Sequence, residues 1–165
     1  MKKIFLIVIA IFSLGGCTTL SNVKDDTNAN YQTALQNIDG IKELLNKEHN
    51  LINAKVKEGY VPSMKESQYA IKTIFGGYEQ LATSNVDFSE ESINYMIQAS
   101  VLLQVCDDSK LSNLGKNAEN FIITLNDDSY NKKEKADSVL NLYESLTGFV
   151  DLTEVEPTLP EMFGI

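Results

Sequence analysis

From Tyr31 to Leu146 the apolar residues of this chain recur in steps of three and four, and they nowhere settle into alternation. Steps of three and four return side chains to one face of an α-helix, whereas a half-buried strand needs a repeat of two. Each such stripe must be covered by another element, so the pattern restricts the fold to helices packed on helices. The first stripe is Tyr31, Leu35, Ile38, Ile41, Leu45, Ile52 and Val56, on a helix expected from about Asn30 to Glu58. Asp39-Gly40 interrupts it and is expected to mark a kink, because Gly costs about 1 kcal/mol in a helix interior. Gly59-Tyr60-Val61-Pro62 ends the segment.

Start signals divide the remainder. Ser63-Met64-Lys65-Glu66 reads as a capping box, with the Ser oxygen and the Glu carboxylate each taking a free amide. The helix behind it carries Ile71, Ile74, Phe75, Tyr78 and Leu81, with Gly76-Gly77 inside it. That glycine pair is read as close packing or a local break. A phosphate-cradling loop would need a preceding strand and a following Lys and hydroxyl, and neither is there. Ser89-Glu90-Glu91 opens a third helix, apolar nearly all round from Met96 to Cys106 and hence expected to be the most buried. Asp107-Asp108-Ser109 is expected to cap a fourth helix, carrying Leu111, Leu114, Ala118, Phe121, Ile122 and Leu125. Asp127-Asp128-Ser129 is expected to do the same for a fifth, with Ala136, Val139, Leu140, Tyr143 and Leu146, and Gly148 as its C-terminal cap. The apolar positions after the two triplets do not superpose, so these are caps and not a repeat. The expected fold is all-α, a compact bundle of about five helices over residues 31–148.

Residues 149–165 change character. Asp151, Glu154, Glu156 and Glu161 stand without a lysine, Pro157 and Pro160 oppose helix, and the stretch reads as an extended acidic tail. Its apolar residues would lie across the bundle. The competing reading is a docking peptide that presents Met162, Phe163 and Ile165 to another protein.

The amino terminus determines where such a bundle would work. Met1-Lys2-Lys3 is basic, and an apolar run from Ile4 to Leu14 follows. As helix that run would cover about 16 Å, roughly half of a ~30 Å hydrocarbon core, which fits the core of a removable export signal. Leu14-Gly15-Gly16-Cys17 closes it. This sequence resembles the lipobox of bacterial lipoproteins: an aliphatic residue, two small residues, and a cysteine that receives diacylglycerol. The resemblance covers the signal region only. It implies cleavage between Gly16 and Cys17, acylation of Cys17, and membrane attachment through those acyl chains. Thr18 stands where lipoproteins retained at an inner membrane commonly carry Asp, which implies an outer-membrane location facing the periplasm or the cell surface. Residues 17–30 are polar and without period, and read as a flexible tether.

Charge limits the partners. Cleavage takes away two of 14 lysines and leaves 12 against 23 carboxylates, a net charge of −11 on 149 residues, with no arginine. Nucleic acid is excluded as a partner, since phosphate binding needs clustered Lys or Arg. Adsorption of the whole body to anionic lipid is disfavoured for the same reason, so the acyl anchor must hold it. Acylation consumes one of the two cysteines. Cys106, in an apolar stretch, is then read as a small buried hydrophobe.

No catalytic constellation is visible. His49 is the only histidine and falls on the first apolar stripe, so it is read as a partly buried, hydrogen-bonded side chain. One histidine and no second free cysteine do not make a zinc set, the acid pairs lack calcium-loop spacing, and no Gly-x-Ser-x-Gly elbow occurs. No metal or other cofactor is expected, and no catalytic residue is assigned. The leading expectation is a non-catalytic, membrane-anchored lipoprotein whose helical surface binds or assembles another envelope protein. The second reading is a peptidoglycan-acting envelope hydrolase working through paired carboxylates.

Overall fold

The structure, a computed structural model, describes residues 38–83 and 90–159, with backbone alone at 81–83. Among the described residues there is no strand. Five helices of fifteen to twenty residues form the bundle: α1 (Ile38–Lys57), α2 (Met64–Thr83), α3 (Glu90–Gln104), α4 (Ser109–Asn126) and α5 (Lys132–Thr147). A single turn, α6 (Val150–Thr153), follows. Contacts between helices fix their directions. Ser92 near the start of α3 meets Gln80 near the end of α2, and Lys42 near the start of α1 meets Asp127 just past α4. Asn117 of α4 reaches Asn141 and Ser145 of α5. Successive helices therefore run antiparallel, as short connections dictate.

The core lies around α3, which packs on α1, α2 and α4 and buries Ile93, Met96, Ile97, Ala99, Val101 and Leu103. This is the helix whose sequence lacks a polar face, and its burial on several sides follows. Ile41, Leu44, Leu45 and Ile52 of α1 close one side, and Ile71, Ile74 and Tyr78 of α2 another. Leu114, Ala118, Phe121 and Ile122 of α4 complete the centre, and Val139, Leu142 and Leu146 of α5 cover it. Asp39 and Gly40 are both helical, with Gly40 buried. The first stripe ends at Ile52, because Val56 is 40 % exposed. At that end Tyr60, turned back by its N–H bond to Lys55 O at 3.0 Å, packs against the core.

Two glycines allow the hub to form. A Cβ on Gly77 would overlap Sδ of Met96, and one on Gly115 would stand 2.5 Å from the Ser100 carbonyl oxygen. Gly76, next to Gly77, would meet nothing within 4 Å. Close packing thus explains one member of the pair and not the other.

The caps were partly legible. Ser63 and Glu66 form the expected box, with Ser63 N–H donating to Glu66 Oε2 at 2.8 Å and Glu66 N–H to Ser63 Oγ at 3.2 Å. Asp108 accepts from the amides of Lys110 and Leu111 at the start of α4. The second Asp-Asp-Ser triplet does something else. Asp127 is the C-terminal cap of α4, and α5 starts from Asn131, whose side chain accepts from Lys133 and Glu134 while Glu134 returns to the Asn131 amide. Asn-x-x-Glu fixes two free amides reciprocally, so it overrides an Asp three residues farther out. Gly148 is the C-terminal cap of α5 as expected, in right-handed geometry with φ −70°.

The tail also departs from a fully extended form. Residues 150–153 make one helical turn, stopped at Glu154 with φ 61°. The prolines that oppose helix begin only at Pro157, and the turn lets Phe149 and Leu152 pack against the core.

The glycine geometry gives an opposed pair of outcomes. Gly115→Ala should force α3 and α4 apart and cost roughly 1–3 kcal/mol, the usual range for overpacking. Gly76→Ala should gain about 1 kcal/mol from helix propensity alone. Chemical denaturation of the two variants beside wild type measures both.

Candidate functional site

The richest polar junction joins three helices around one carboxylate. Glu119 Oε2, on α4, lies 2.8 Å from His49 Nε2 on α1 and accepts from Gln104 Nε2, at the end of α3, at 2.6 Å. The sequence puts it there by periodicity, since His49 and Glu119 each sit at the edge of an apolar stripe. The pair is neither buried nor free, with side chains 30 % and 24 % exposed. His49 is thus the partly buried, hydrogen-bonded side chain that its position implied. Glu119 and Gln104 were not singled out in the sequence, because partners 70 and 15 residues apart leave no local signal. Chemically the junction unites one imidazole and one carboxylate. Among the described residues no group of three His, Cys, Asp or Glu could hold a metal ion. No buried side-chain nitrogen or oxygen among them lacks a hydrogen-bond partner.

A second carboxylate on α1 is electrostatically uncomfortable. Burial pushes the Glu48 carboxyl above its ordinary range, and Lys47 and Lys55 offset this only in part. Asp127 behaves oppositely. The hydroxyl and amide of Ser129, aided by the Lys42 ammonium 3.2 Å away, hold it down at about 2.

Cys106 ends half-buried just beyond α3, packed against the core, with Sγ 3.6 Å from Ser67 Oγ. Burial raises its thiol, and Asp107, Asp108 and Glu66 add to the rise, while Ser67 opposes it. The neutral thiol is favoured, which is the state of a packing residue and not of a nucleophile.

The start of the tail is clasped to α2. Tyr78, wholly buried, donates its hydroxyl to the Thr158 carbonyl at 2.8 Å. The Glu79 carboxylate accepts from the Thr158 amide at 2.6 Å and from its hydroxyl at 2.9 Å. Burial lifts the Tyr78 phenol far above its usual range, so it acts only as a donor. Pro157 is buried beside this clasp. As far as Thr158, then, the tail is held to the bundle, the first of the two roles open to it.

The residues assigned from the signal region and the chain end all fall elsewhere. Gly16 and Cys17, and the docking residues Met162, Phe163 and Ile165, lie outside the described residues. No described helix is long and apolar enough to cross a membrane.

The junction and the buried carboxylate carry separate tests. Glu119→Ala should leave the His49 and Gln104 donors to water and lower stability by about 1 kcal/mol, below the 1.5–3 kcal/mol of a buried charged hydrogen bond because the site is wet. Urea unfolding at neutral pH measures it. For Glu48 the folded state raises the carboxyl, so the ionised form costs stability above the folded value and nothing below the unfolded one. Glu48→Gln should therefore melt higher than wild type at pH 7, with the two melting temperatures converging as pH falls through the carboxylate range.

The chain matches no protein-family model, no curated protein and no solved structure.

Proposed function

We propose that the protein is a membrane-anchored lipoprotein of the cell envelope, whose helical bundle binds or assembles another envelope protein without catalysing a reaction. The observation that carries this reading is the order Met1-Lys2-Lys3, an apolar run from Ile4 to Leu14, then Leu14-Gly15-Gly16-Cys17. Each part alone is common. Together they have the layout of a signal cut before an acylated cysteine. Acyl chains would matter here, because a body with net charge −11 is repelled by anionic lipid. One chain gives only reversible binding, at ~0.8 kcal/mol per buried methylene, and two or three make attachment durable. Thr18 favours the outer membrane, with the domain facing the periplasm or the surface.

Anchoring supports a binding role by confining the bundle to a layer beside other envelope components and raising its effective concentration there. Leu159 is 41 % exposed just beyond the Thr158 clasp, and it leads into Met162, Phe163 and Ile165. A partner-binding segment in this position would leave from a fixed point on α2.

Palmitate labelling of growing cells should mark the wild-type protein and not Cys17→Ser. Export of an unlabelled wild type would remove the anchor. Photo-crosslinking from positions along 149–165 should capture one specific envelope protein. Failure at every position would remove the tail as a docking segment.

A further inference from the structure

The hydrophobic core reaches as far along the chain as α6 and hardly farther. Phe149 and Leu152 pack against it. Of the apolar side chains that follow, Val155 is 54 % and Leu159 41 % exposed, and among residues 154–159 only Pro157 is buried. The end of α6 is itself well tied. Glu154, at φ 61°, returns its N–H to Val150 O at 2.8 Å, and the Thr153 hydroxyl donates to the Val155 carbonyl at 2.9 Å. Beyond that point the chain crosses to α2 without regular structure.

Three hydrogen bonds meet there on one residue. Tyr78 and Glu79, consecutive on α2, take both main-chain groups of Thr158: the phenol donates to its carbonyl and the carboxylate accepts from its amide and its hydroxyl. Charge works against the same contact. Glu79 faces a segment that carries Glu154 and Glu156, with Asp151 just before it, and no lysine stands between Phe149 and Leu159. Like charges at an exposed contact repel, and salt at physiological strength screens that repulsion beyond about 8 Å. Lifting residues 155–159 would give up the contacts of Pro157 and Thr158 and leave the core cluster covered. The Tyr78 hydroxyl, directly beneath the exposed Thr158, would then pass to water and not be stranded.

We infer that residues 155–159 are a releasable strap, held shut by Tyr78 and Glu79 against like charge and able to open while the bundle stays folded. The hinge lies just after α6, whose own bonds are untouched by the movement. Opening lets these five residues reach about 17 Å from the end of α6. It also bares a phenol and a carboxylate placed to bond both main-chain groups of an extended segment. Sub-global openings of this kind need far less free energy than unfolding of the whole domain. Salt should favour the closed state, since it screens the repulsion that opposes closure. A contact between opposite charges would respond the other way. The strap stands whether or not Cys17 is acylated.

Amide hydrogen exchange followed by NMR on the full chain tests this, with Ile97 of α3 as the core reference. The Thr158 amide should be protected, but at least about tenfold less than Ile97, and urea too dilute to unfold the bundle should leave its protection unchanged. Raising sodium chloride from about 0.02 to about 0.3 M should increase Thr158 protection roughly twofold in wild type. It should do nothing in Glu79→Gln, which keeps an acceptor oxygen and removes the charge. Tyr78→Phe keeps the ring beside Phe121 and loses the donor, so Thr158 protection should drop about fivefold with that of Ile97 little changed. Thr158 exchange that matches Ile97, or follows it in urea, makes the segment part of the bundle and overturns the inference. An unprotected Thr158 removes the closed state and overturns it too. So does protection in wild type that salt leaves alone or lowers, and the wild-type measurements decide even if a variant does not fold.

Discussion

Burial of α3 on several sides is the constraint on which the rest of the structure depends. Met96, Ile97, Val101 and Leu103 are nearly or wholly hidden, and helices α1, α2 and α4 each owe part of their position to contact with this element. A helix without a polar face is stable only when surrounded, and the surrounding helices can approach only where their own side chains permit. Gly77 and Gly115 supply that permission at two of the interfaces. A hydrophobic stripe creates the demand for a neighbour, and a missing methyl group sets how near it comes.

Polar contacts then fix the arrangement without driving it. The Glu119 junction ties α1, α3 and α4 at partly wet positions, and the Asp127–Lys42 pair closes the start of α1 onto the turn after α4. Contacts of this exposure contribute about 1 kcal/mol or less each. Their value is specificity, since they favour one rotation of each helix about its axis over others that bury similar area. The Thr158 clasp works in the same way where the tail meets α2. It uses a fully buried phenol and a carboxylate to turn an acidic segment back onto α2. Without it, four carboxylates and no lysine would give that segment little reason to stay close.

The proposed role divides naturally between the two ends of the chain. In that reading the signal and Cys17 decide the compartment, and the bundle supplies a rigid body from which the segment beyond Thr158 remains available to a protein.

The sequence by itself determined the helical class, the order of the five long helices, the central place of α3, and three of the caps. Each of these follows from periodicity or from residues within four positions of one another. His49 as a partly buried, bonded side chain was legible for the same reason. The start of α5 at Asn131 was written in Asn-x-x-Glu yet was masked by a stronger-looking Asp pair upstream. Only the tertiary structure decided that Glu119 is the acceptor for His49, that Gly77 and not Gly76 makes the close approach, and that residues 150–153 coil. Those outcomes depend on which surfaces meet across the bundle, and a local pattern of residues carries no record of a neighbour supplied from 70 positions away.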